Sequence, residues 1–423
     1  MRKSIGKRLV SVLLLLCLCL SVTSCQLFLG NDTDALTKED VRQMISNSMG
    51  ENVTVQGGDN YNVIINAENS NNVAAAKALL STVSIDCVFK VSSSFYPSGF
   101  GGSSREATSS GSGVIFRLDK EKGDAYIITN YHVVYYNSAN TSNGISNDIS
   151  LYLYGQESKE YAIPAKYIGG SMNYDLAILK VEGSRVLAES NAVAVEFANS
   201  DNVAVLDKAI AVGNPEDLGI SATLGYVNVD SEYITIDGAD GSTEVQIRVM
   251  RMDTAVNSGN SGGGLFDENG RLIGIVNAKL TESENMSYSI PSNFVKYVAE
   301  NIIYYCDGKT NEQVMRCYLG ITVGAKELYT VYDTDSGKVH KRETVSISSI
   351  ETSGLAYGNL EVGDVINSIT IDGVKYDVTR MFVVTDAMLN ARVDSIVTVN
   401  VTRAGASKDV RIIIAESSLT GIK

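Results

Sequence analysis

Histidine is the scarcest residue of catalytic use in this chain, with His132 and His340 its only two examples among 423 residues. A serine hydroxyl is a poor nucleophile at neutral pH unless a neighbouring base accepts its proton. Any serine-based mechanism here therefore depends on one of these two side chains.

Cysteine is also rare, at six residues. Three of them, Cys17, Cys19 and Cys25, lie in the first 25 residues. The other three, Cys87, Cys306 and Cys317, are an odd number and are spaced too widely for a disulfide framework or a zinc site. Pairing of Cys306 with Cys317 stays open, and core or surface thiols are the favoured interpretation. We expect no metal and no cofactor.

Basic residues are outnumbered, because 35 lysines and arginines face 49 aspartates and glutamates, which gives a net charge of −14. A chain this acidic repels phosphate backbones. The composition therefore excludes a nucleic-acid partner.

The apolar run over residues 9–20 is too short to span a membrane comfortably. Four basic residues precede it and small residues follow, a pattern typical of a secretory signal over residues 1–24. Loss of that segment removes four basic and no acidic residues, which takes the net charge from −14 to −18. Val22-Thr23-Ser24-Cys25 resembles a bacterial lipobox, so we expect Cys25 to carry a lipid that anchors the protein on the extracytoplasmic side of a cell membrane.

The segment Gly259-Asn260-Ser261-Gly262-Gly263 is typical of a nucleophile loop. Its glycines permit a sharp turn and let backbone N–H groups approach a reacting carbonyl. With His132 and Asp175 upstream, the chain has the order His, Asp, Ser of chymotrypsin.

Two other arrangements deserve comparison. The pentapeptide also fits the G-x-S-x-G elbow of α/β-hydrolases, which would require His340 as the base. His340 lies in a polar stretch, residues 333–342, which we expect to be an exposed hairpin tip. The subtilisin order needs an acid before His132 in a parallel sheet, whereas the neighbouring segments indicate strands joined by turns.

The spacing of apolar residues predicts a mainly β chain. A small helix over 37–49, a hairpin over 52–66 and a helix over 72–81 precede a mobile surface loop over 92–112. Two sets of strands follow, and a helix over 292–305 ends the segment. The predicted strands cover residues 82–89, 113–118, 125–129, 149–154, 161–168 and 176–181, then 203–206, 209–212, 221–229, 244–250, 265–267 and 272–278.

A separate domain of about a hundred residues is predicted after Met315. It combines alternating strands, including 396–403 and 409–415, with a helix over 378–390. The chain therefore divides into a signal over 1–24, a polar tether with a small module over 25–72, a catalytic domain over 73–305 and a C-terminal domain over 315–417.

Four motifs resemble the HtrA/DegP serine proteases over about residues 73–305. They are Thr129-Asn130-Tyr131-His132-Val133-Val134, Asp175-Leu176-Ala177-Ile178-Leu179, Ala211-Val212-Gly213-Asn214-Pro215 and Asn257-Ser258-Gly259-Asn260-Ser261-Gly262-Gly263. The C-terminal domain resembles one PDZ module, with Tyr318-Leu319-Gly320-Ile321 as its carboxylate-binding loop and an L-x-x-G-D-x-I segment from Leu360. The implied fold is a chymotrypsin-like double β-barrel protease domain followed by an α+β PDZ domain. Residues 31–71 match no family pattern.

The resemblance implies a role for each matched residue. Ser261 would be the nucleophile, His132 the base and then acid, and Asp175 the group that fixes the imidazole tautomer. The amides of Gly259 and Ser261 would form the oxyanion hole. The implied activity is endoproteolysis of unfolded or damaged exported proteins, with the PDZ module binding peptide C-termini and the chain forming a homo-oligomer, a trimer in this family.

Substrate preference is expected to follow an uncharged pocket lined by Ala255, Ile275, Val276 and Ala278, which would favour small aliphatic residues. A rival hypothesis is a surface chaperone or peptide-binding adaptor built on a degenerate protease shell. Such shells usually lose a triad residue, whereas all three are present in this sequence.

Overall fold

The computed structural model describes residues 53–57, 61–65, 71–91, 105–277 and 286–423. The chain forms two units, Met1–Ala67 and Glu68–Lys423. In the first, β1 (Val53–Gly57) and β2 (Tyr61–Ile65) pair as the predicted antiparallel hairpin. The predicted signal, Cys25 and the helix over 37–49 lie outside the described residues. No helix in the described ranges is long and apolar enough to cross a membrane.

The first barrel follows the helix α1 (Asn71–Leu80) and closes through six antiparallel strands. Inward aliphatic side chains such as Ile85, Ile127 and Leu151 are almost fully buried and form its core. In chain order its elements are β3 (Thr82–Val91), β4 (Arg105–Asp119), β5 (Asp124–Thr129), α2 (Tyr131–Val134), β6 (Asp148–Leu153), β7 (Ile163–Ser171) and β8 (Leu176–Val181).

The predicted surface loop over 92–112 is wrong in its second half. β4 begins at Arg105 and pairs with β3 from Val91↔Arg105 to Thr82↔Val114. This serine- and glycine-rich strand lacks the apolar alternation that identifies a strand in a sequence. Hydrogen bonding to β3 makes this segment a strand. A Cβ added at Gly111 would lie 2.6 Å from a side-chain carbon of Val133, so the strand packs tightly there.

The second barrel also closes through six antiparallel strands, after the short helix α3 (Arg185–Glu189). The predicted strand over 203–206 is wrong, because these residues form a turn in which Leu206 has a φ of 69°. The elements of this barrel are β9 (Lys208–Gly213), β10 (Ser221–Asp237), β11 (Glu244–Met252), β12 (Gly264–Phe266), β13 (Leu272–Asn277) and β14 (Ser287–Pro291).

One hydrophobic core joins the two barrels and the helix α4 (Ser292–Cys306). It contains Ile178 of the first barrel, Val212 of the second and Val298 of the helix, each at most 1% exposed. Burial of apolar surface at about 25 cal/mol per Å² makes this shared core a strong constraint on how the barrels meet. The predicted mainly β fold with two barrels is confirmed.

The C-terminal domain is a sheet with one packed helix. The elements of this domain are β15 (Val314–Cys317), β16 (Ile321–Tyr332), β17 (Val339–Ile350), β18 (Val365–Ile371), β19 (Val374–Asp377), α5 (Met381–Ala387), β20 (Ile396–Arg403), β21 (Ala406–Ile413) and β22 (Leu419–Ile422). The strand order in the sheet is β16-β17-β18-β20-β21, with β19 beside β18, and β15 pairs separately with β22. In place of the predicted helix over 378–390, the structure has α5 followed by a 3₁₀ turn, Met388–Asn390.

The sequence predicted His340 at an exposed hairpin tip, and this prediction is wrong. It pairs with Val331 in the β16–β17 hairpin and is 7% exposed. The tip itself is the turn over residues 333–338. Nearby, Lys338 Nζ lies 2.6 Å from the carboxylate of Asp207 in the second barrel. Lys341 of the same stretch pairs with Asp230 of β10 at 3.6 Å, and the local sequence shows neither of these partners.

Candidate active site

His132 lies directly after a barrel strand. β5 ends at Thr129, and α2 carries the histidine while Val133 and Val134 anchor this short helix in the core of the first barrel. The ring is 19% exposed, so one side remains open. Its Nδ1 lies 2.8 Å from Asp175 Oδ2, and its backbone N–H donates to Oδ1 at 3.0 Å.

Asp175 occupies the turn between β7 and β8 and is 4% exposed. Its φ of 50° is left-handed, a conformation that costs free energy for a residue with a Cβ and that aspartate tolerates better than most. Two bonds hold the turn: Asp175 N–H donates to Met172 at 3.2 Å, and Asn130 Nδ2 donates to the Asp175 carbonyl at 2.8 Å. The carboxylate is thereby directed at the imidazole.

Asn277 is a contributor that the sequence interpretation missed. Its Nδ2 donates to Asp175 Oδ2 at 2.9 Å from the last position of β13, where it is completely buried. The second barrel thus contacts the acid of the first. The sequence did contain a sign of this contact, because Asn277 is a polar residue at the end of the apolar strand Leu272–Asn277. A polar side chain buried in such a strand needs a hydrogen-bond partner.

The Ser261 loop packs against the same corner of the first barrel. Ser112 N–H donates to the Ser261 carbonyl at 2.8 Å, and Ser112 Oγ donates to the Gly259 carbonyl at 2.7 Å. Gly262 has a φ of 84°, and a Cβ there would lie 2.4 Å from Thr129 Oγ1. Only glycine allows this approach. Ser261 is 6% exposed and lies beside the segment that leads to His132.

The orientation of the predicted oxyanion amides follows from peptide planarity. In a trans peptide the N–H points opposite to the preceding carbonyl. The Ser258 carbonyl accepts from Glu216 N–H at 2.8 Å, and the Asn260 carbonyl accepts from Gly263 N–H at 3.0 Å. The N–H groups of Gly259 and Ser261 therefore point away from Glu216 and Gly263, the residues that bind the preceding carbonyls.

The thiols are unsuited to serve as a rival nucleophile. Cys87, Cys306 and Cys317 are all buried and free, which agrees with the core-thiol interpretation. Burial raises the pKa of Cys306 to about 12 and that of Cys317 to about 11, and raises the pKa of Cys87 as well. They stay protonated at neutral pH. Over the described ranges, no group of three or more His, Cys, Asp or Glu could hold a metal ion.

Residues 111–275 match the family model of the trypsin-like peptidase domain, a range that contains His132, Asp175 and Ser261. The serine protease Do-like HtrA of Bacillus subtilis (strain 168) is 32% identical over 286 residues, covering 64% of this chain and 58% of that protein. The serine protease Do-like HtrA of Lactococcus lactis subsp. cremoris (strain MG1363) is 29% identical over 379 residues, 84% of this chain and 85% of that protein.

The chain contains a trypsin-like peptidase domain and is similar to the HtrA/DegP serine proteases. Its peptidase domain is that of a serine endopeptidase. The match to the Bacillus protein spans little more than half of that relative. Among solved structures, one described as HtrA-type protease AlgW with tripeptide has a TM-score of 0.51 at 22% identity, covering 83% of this chain and 97% of that one. That likeness concerns the fold alone.

The predicted pocket residues of this HtrA/DegP-like protease occupy different environments. Ala255 is exposed, whereas Ile275 and Val276 are fully buried in core clusters. Val276 contacts the nucleophile loop through its backbone, accepting from Gly262 N–H at 3.0 Å. Ala278 lies outside the described residues, and the pocket stays a prediction.

The predicted carboxylate-binding loop lies between β15 and β16. Gly320 has a φ of 77°, and a Cβ there would lie 2.4 Å from Gly354. The Leu319 carbonyl accepts from Ala356 N–H at 2.9 Å, and the Gly320 carbonyl accepts from Glu351 N–H at 2.8 Å. By the same peptide geometry, the amides of Gly320 and Ile321 are directed away from these inward partners. Tyr318 is exposed, and its hydroxyl contacts Glu351.

Proposed function

We propose that this protein is an endopeptidase that hydrolyses unfolded or damaged exported proteins in the cell envelope, with His132, Asp175 and Ser261 as its triad. The observation that carries the proposal is the Asp175 carboxylate, which binds the His132 ring at 2.8 Å beside the Ser261 loop. An aspartate in this position holds the imidazole in the tautomer whose other nitrogen can accept a proton.

The proposed mechanism assigns one role to each of these three residues. Ser261 Oγ attacks the substrate carbonyl carbon while His132 Nε2 accepts the hydroxyl proton. The amides of Gly259 and Ser261 stabilise the oxyanion. The imidazolium then protonates the leaving amine, the C–N bond breaks, and an acyl-enzyme remains. Water, deprotonated by the same histidine, hydrolyses that ester and restores the serine.

Casein turnover tests the activity. We expect wild-type protein to cleave it, and Ser261→Ala, His132→Ala and Asp175→Asn each to lower the rate by about three orders of magnitude or more. His340→Gln is the matched control, because it changes the other histidine and should leave turnover intact. A folded wild-type protein that binds unfolded chains without cleaving them would favour the chaperone or adaptor hypothesis instead.

The proposed substrate preference rests on Ala255, six residues before the nucleophile. An uncharged side chain at that position offers no partner for a cationic substrate group. We expect small aliphatic residues on the acyl side of the cleaved bond, within a protease domain over residues 73–305. A peptide-library profile dominated by cleavage after arginine or lysine would contradict this expectation.

The C-terminal domain, residues 315–417, is proposed as a PDZ module. β16 lies at the edge of its sheet and can accept an extended peptide as an added strand, next to the loop Tyr318-Leu319-Gly320-Ile321. The outward amides of Gly320 and Ile321 would bind the peptide carboxylate. Peptides with an apolar last residue should bind, amidation should weaken them, and faster cleavage of a short separate substrate on binding would indicate allosteric activation.

The cellular setting is proposed from the N-terminal sequence. A signal over 1–24 with lipidation of Cys25 would place the protease on the outer side of a cell membrane, with residues 25–72 as tether. By family resemblance the assembly would be a trimer. Intact-mass and native-mass measurement of the exported protein would report lipid and subunit number together, and an unlipidated Cys25 would remove the anchor.

A further inference from the structure

The last residues of the sequence return to the protease domain. After the 3₁₀ turn Glu416–Ser418, β22 pairs antiparallel with β15, from Cys317↔Leu419 to Val314↔Ile422. Leu419 packs against the core of the C-terminal domain, whereas Ile422 packs against the core shared by the two barrels. Residues 419–423 therefore connect the two cores.

This segment ends on the turn that carries Asp175. The main-chain oxygen of Lys423 accepts from Asn173 N–H at 2.9 Å and from Ser171 Oγ at 2.8 Å. Ser171 is completely buried and its Oγ also accepts from Tyr174 N–H at 3.3 Å. One hydroxyl thus joins the end of β22 to the residue next to the acid.

The segment just before β15 contacts the end of β7, next to the same turn. Gly170 N–H donates to the Glu312 carbonyl at 2.9 Å, and Gly170 pairs with Gln313 in a parallel bridge. On α4, Asn301 fixes β15 by exchanging two hydrogen bonds with Met315, at 2.7 and 2.9 Å. The end of β7 therefore lies in a frame built from elements that follow the protease domain.

We propose that residues 419–423 form a clasp that positions Asp175 for catalysis, with Ser171 as the positioning residue that transmits its hold. The inference rests on the proposed triad. Asp175 has a left-handed backbone, and such conformations persist where surrounding contacts over-determine them. The two hydrogen bonds to Lys423 are contacts of this kind.

Loss of the clasp should act on the rate more than on binding. Small displacements of a catalytic group can lower a rate by about a hundredfold, whereas ground-state contacts with a substrate need not change. A purely structural tail would instead affect the melting temperature and leave kcat unchanged. The division between kcat and KM separates these two roles.

Three variants of the full-length protein test the clasp: a chain ending at Ile422, Ser171→Ala, and both changes together. The first retains all four β15–β22 pairs and removes the main-chain oxygen of Lys423 that accepts both hydrogen bonds. Each is assayed with a short peptide substrate, and the fluorophosphonate-reactive fraction corrects for unfolded protein. We expect kcat to fall about tenfold in each single variant with KM unchanged. The double variant should lose less than the product of the two single losses, because both changes remove the bond between Ser171 Oγ and Lys423.

The matched control is Ser146→Ala. Ser146 is also buried, and its Oγ donates to the Val88 carbonyl at 2.6 Å and accepts from Asp148 N–H at 3.1 Å. It should leave kcat unchanged. An equal loss of kcat in this control, or wild-type kcat in both single variants, would overturn the clasp.

Hydrogen exchange separates this inference from the activity itself. We expect the amides of Tyr174 and Asp175 to exchange faster in the chain ending at Ile422 than in wild type. If wild-type protein lacks turnover that depends on Ser261, the proposed function fails while the exchange measurement still stands. Unchanged exchange at both amides would overturn the clasp independently.

Discussion

Two buried carboxylates lie where parts of this molecule meet, and they differ in the groups that bind them. Asp175 lies where the two barrels meet, and Asp386 of α5 lies where the second barrel meets the C-terminal domain. The Asp175 carboxylate accepts three hydrogen bonds, from the backbone and ring of His132 and from Asn277. Asp386 pairs with the Arg248 guanidinium of β11.

The surroundings explain the contrast. Several directional donors fix the orientation of the Asp175 carboxylate, which is what a positioned imidazole requires. At the other junction, burial raises the pKa of Asp386 to about 6 although Arg248 opposes this rise. Arg248 also lies over the ring of Phe382, at 3.8 Å from its centroid. This pair therefore links β11 of the second barrel to α5 of the C-terminal domain.

The comparison is tested most severely by the same substitution at both carboxylates. Asp175→Asn should lower casein turnover by about three orders of magnitude or more, because the amide favours the wrong imidazole tautomer. Asp386→Asn should leave turnover of a short peptide largely intact. Steady-state kinetics measures both, and similar losses in the two variants would remove the distinction.

The next largest effect concerns the docking junction. Arg248→Ala would leave Asp386 buried without its cation, so we expect the free energy of unfolding to fall by about 3–5 kcal/mol. Arg117→Ala is the control, because Arg117 pairs with Glu300 with 47% of its side chain exposed, and such pairs contribute about 1 kcal/mol or less. Denaturant titration gives both values, and equal losses would contradict a buried pair that supports docking.

A smaller effect is expected from Asn277→Ala. Removal of one hydrogen bond to a charged carboxylate costs about 1.5–3 kcal/mol, which corresponds to about a ten- to hundredfold loss in kcat/KM. Asn260 is in the nucleophile loop and offers no matched control, so Asn301→Ala on α4 serves to measure the effect of losing a buried asparagine. Activity retained in Asn277→Ala would show that the second barrel does not support the acid.

The smallest effect is a pH dependence. Because the pKa of Asp386 is higher in the folded protein than its ordinary value of 3.8, the folded state binds the proton more tightly between about pH 4 and 6. The contribution of this group to stability therefore falls as the pH rises through that window. The melting temperature of Asp386→Asn relative to wild type should rise by a few degrees from pH 4 to 7. A constant difference would contradict the raised pKa.

The local sequence by itself predicted those elements whose residue pattern is specific to one backbone structure. Glycines flank Ser261 because a tight loop needs them, and the predicted strand over residues 176–181 coincides with β8 because apolar runs bounded by turns specify strands. The hairpin of β1 and β2 and the helix α4 were predicted on the same basis. In each case the pattern that predicts the element lies within a few residues along the chain.

What only the tertiary structure decided depends on partners far away in sequence. Residues 105–112 are strand because β3 completes their hydrogen bonds, and His340 is buried where the sequence alone indicated exposure. Asn277 reaches Asp175 across 102 positions, and Lys423 reaches Ser171 across 252. No periodicity or motif encodes such pairs, because their members meet only after two barrels and a further domain have packed.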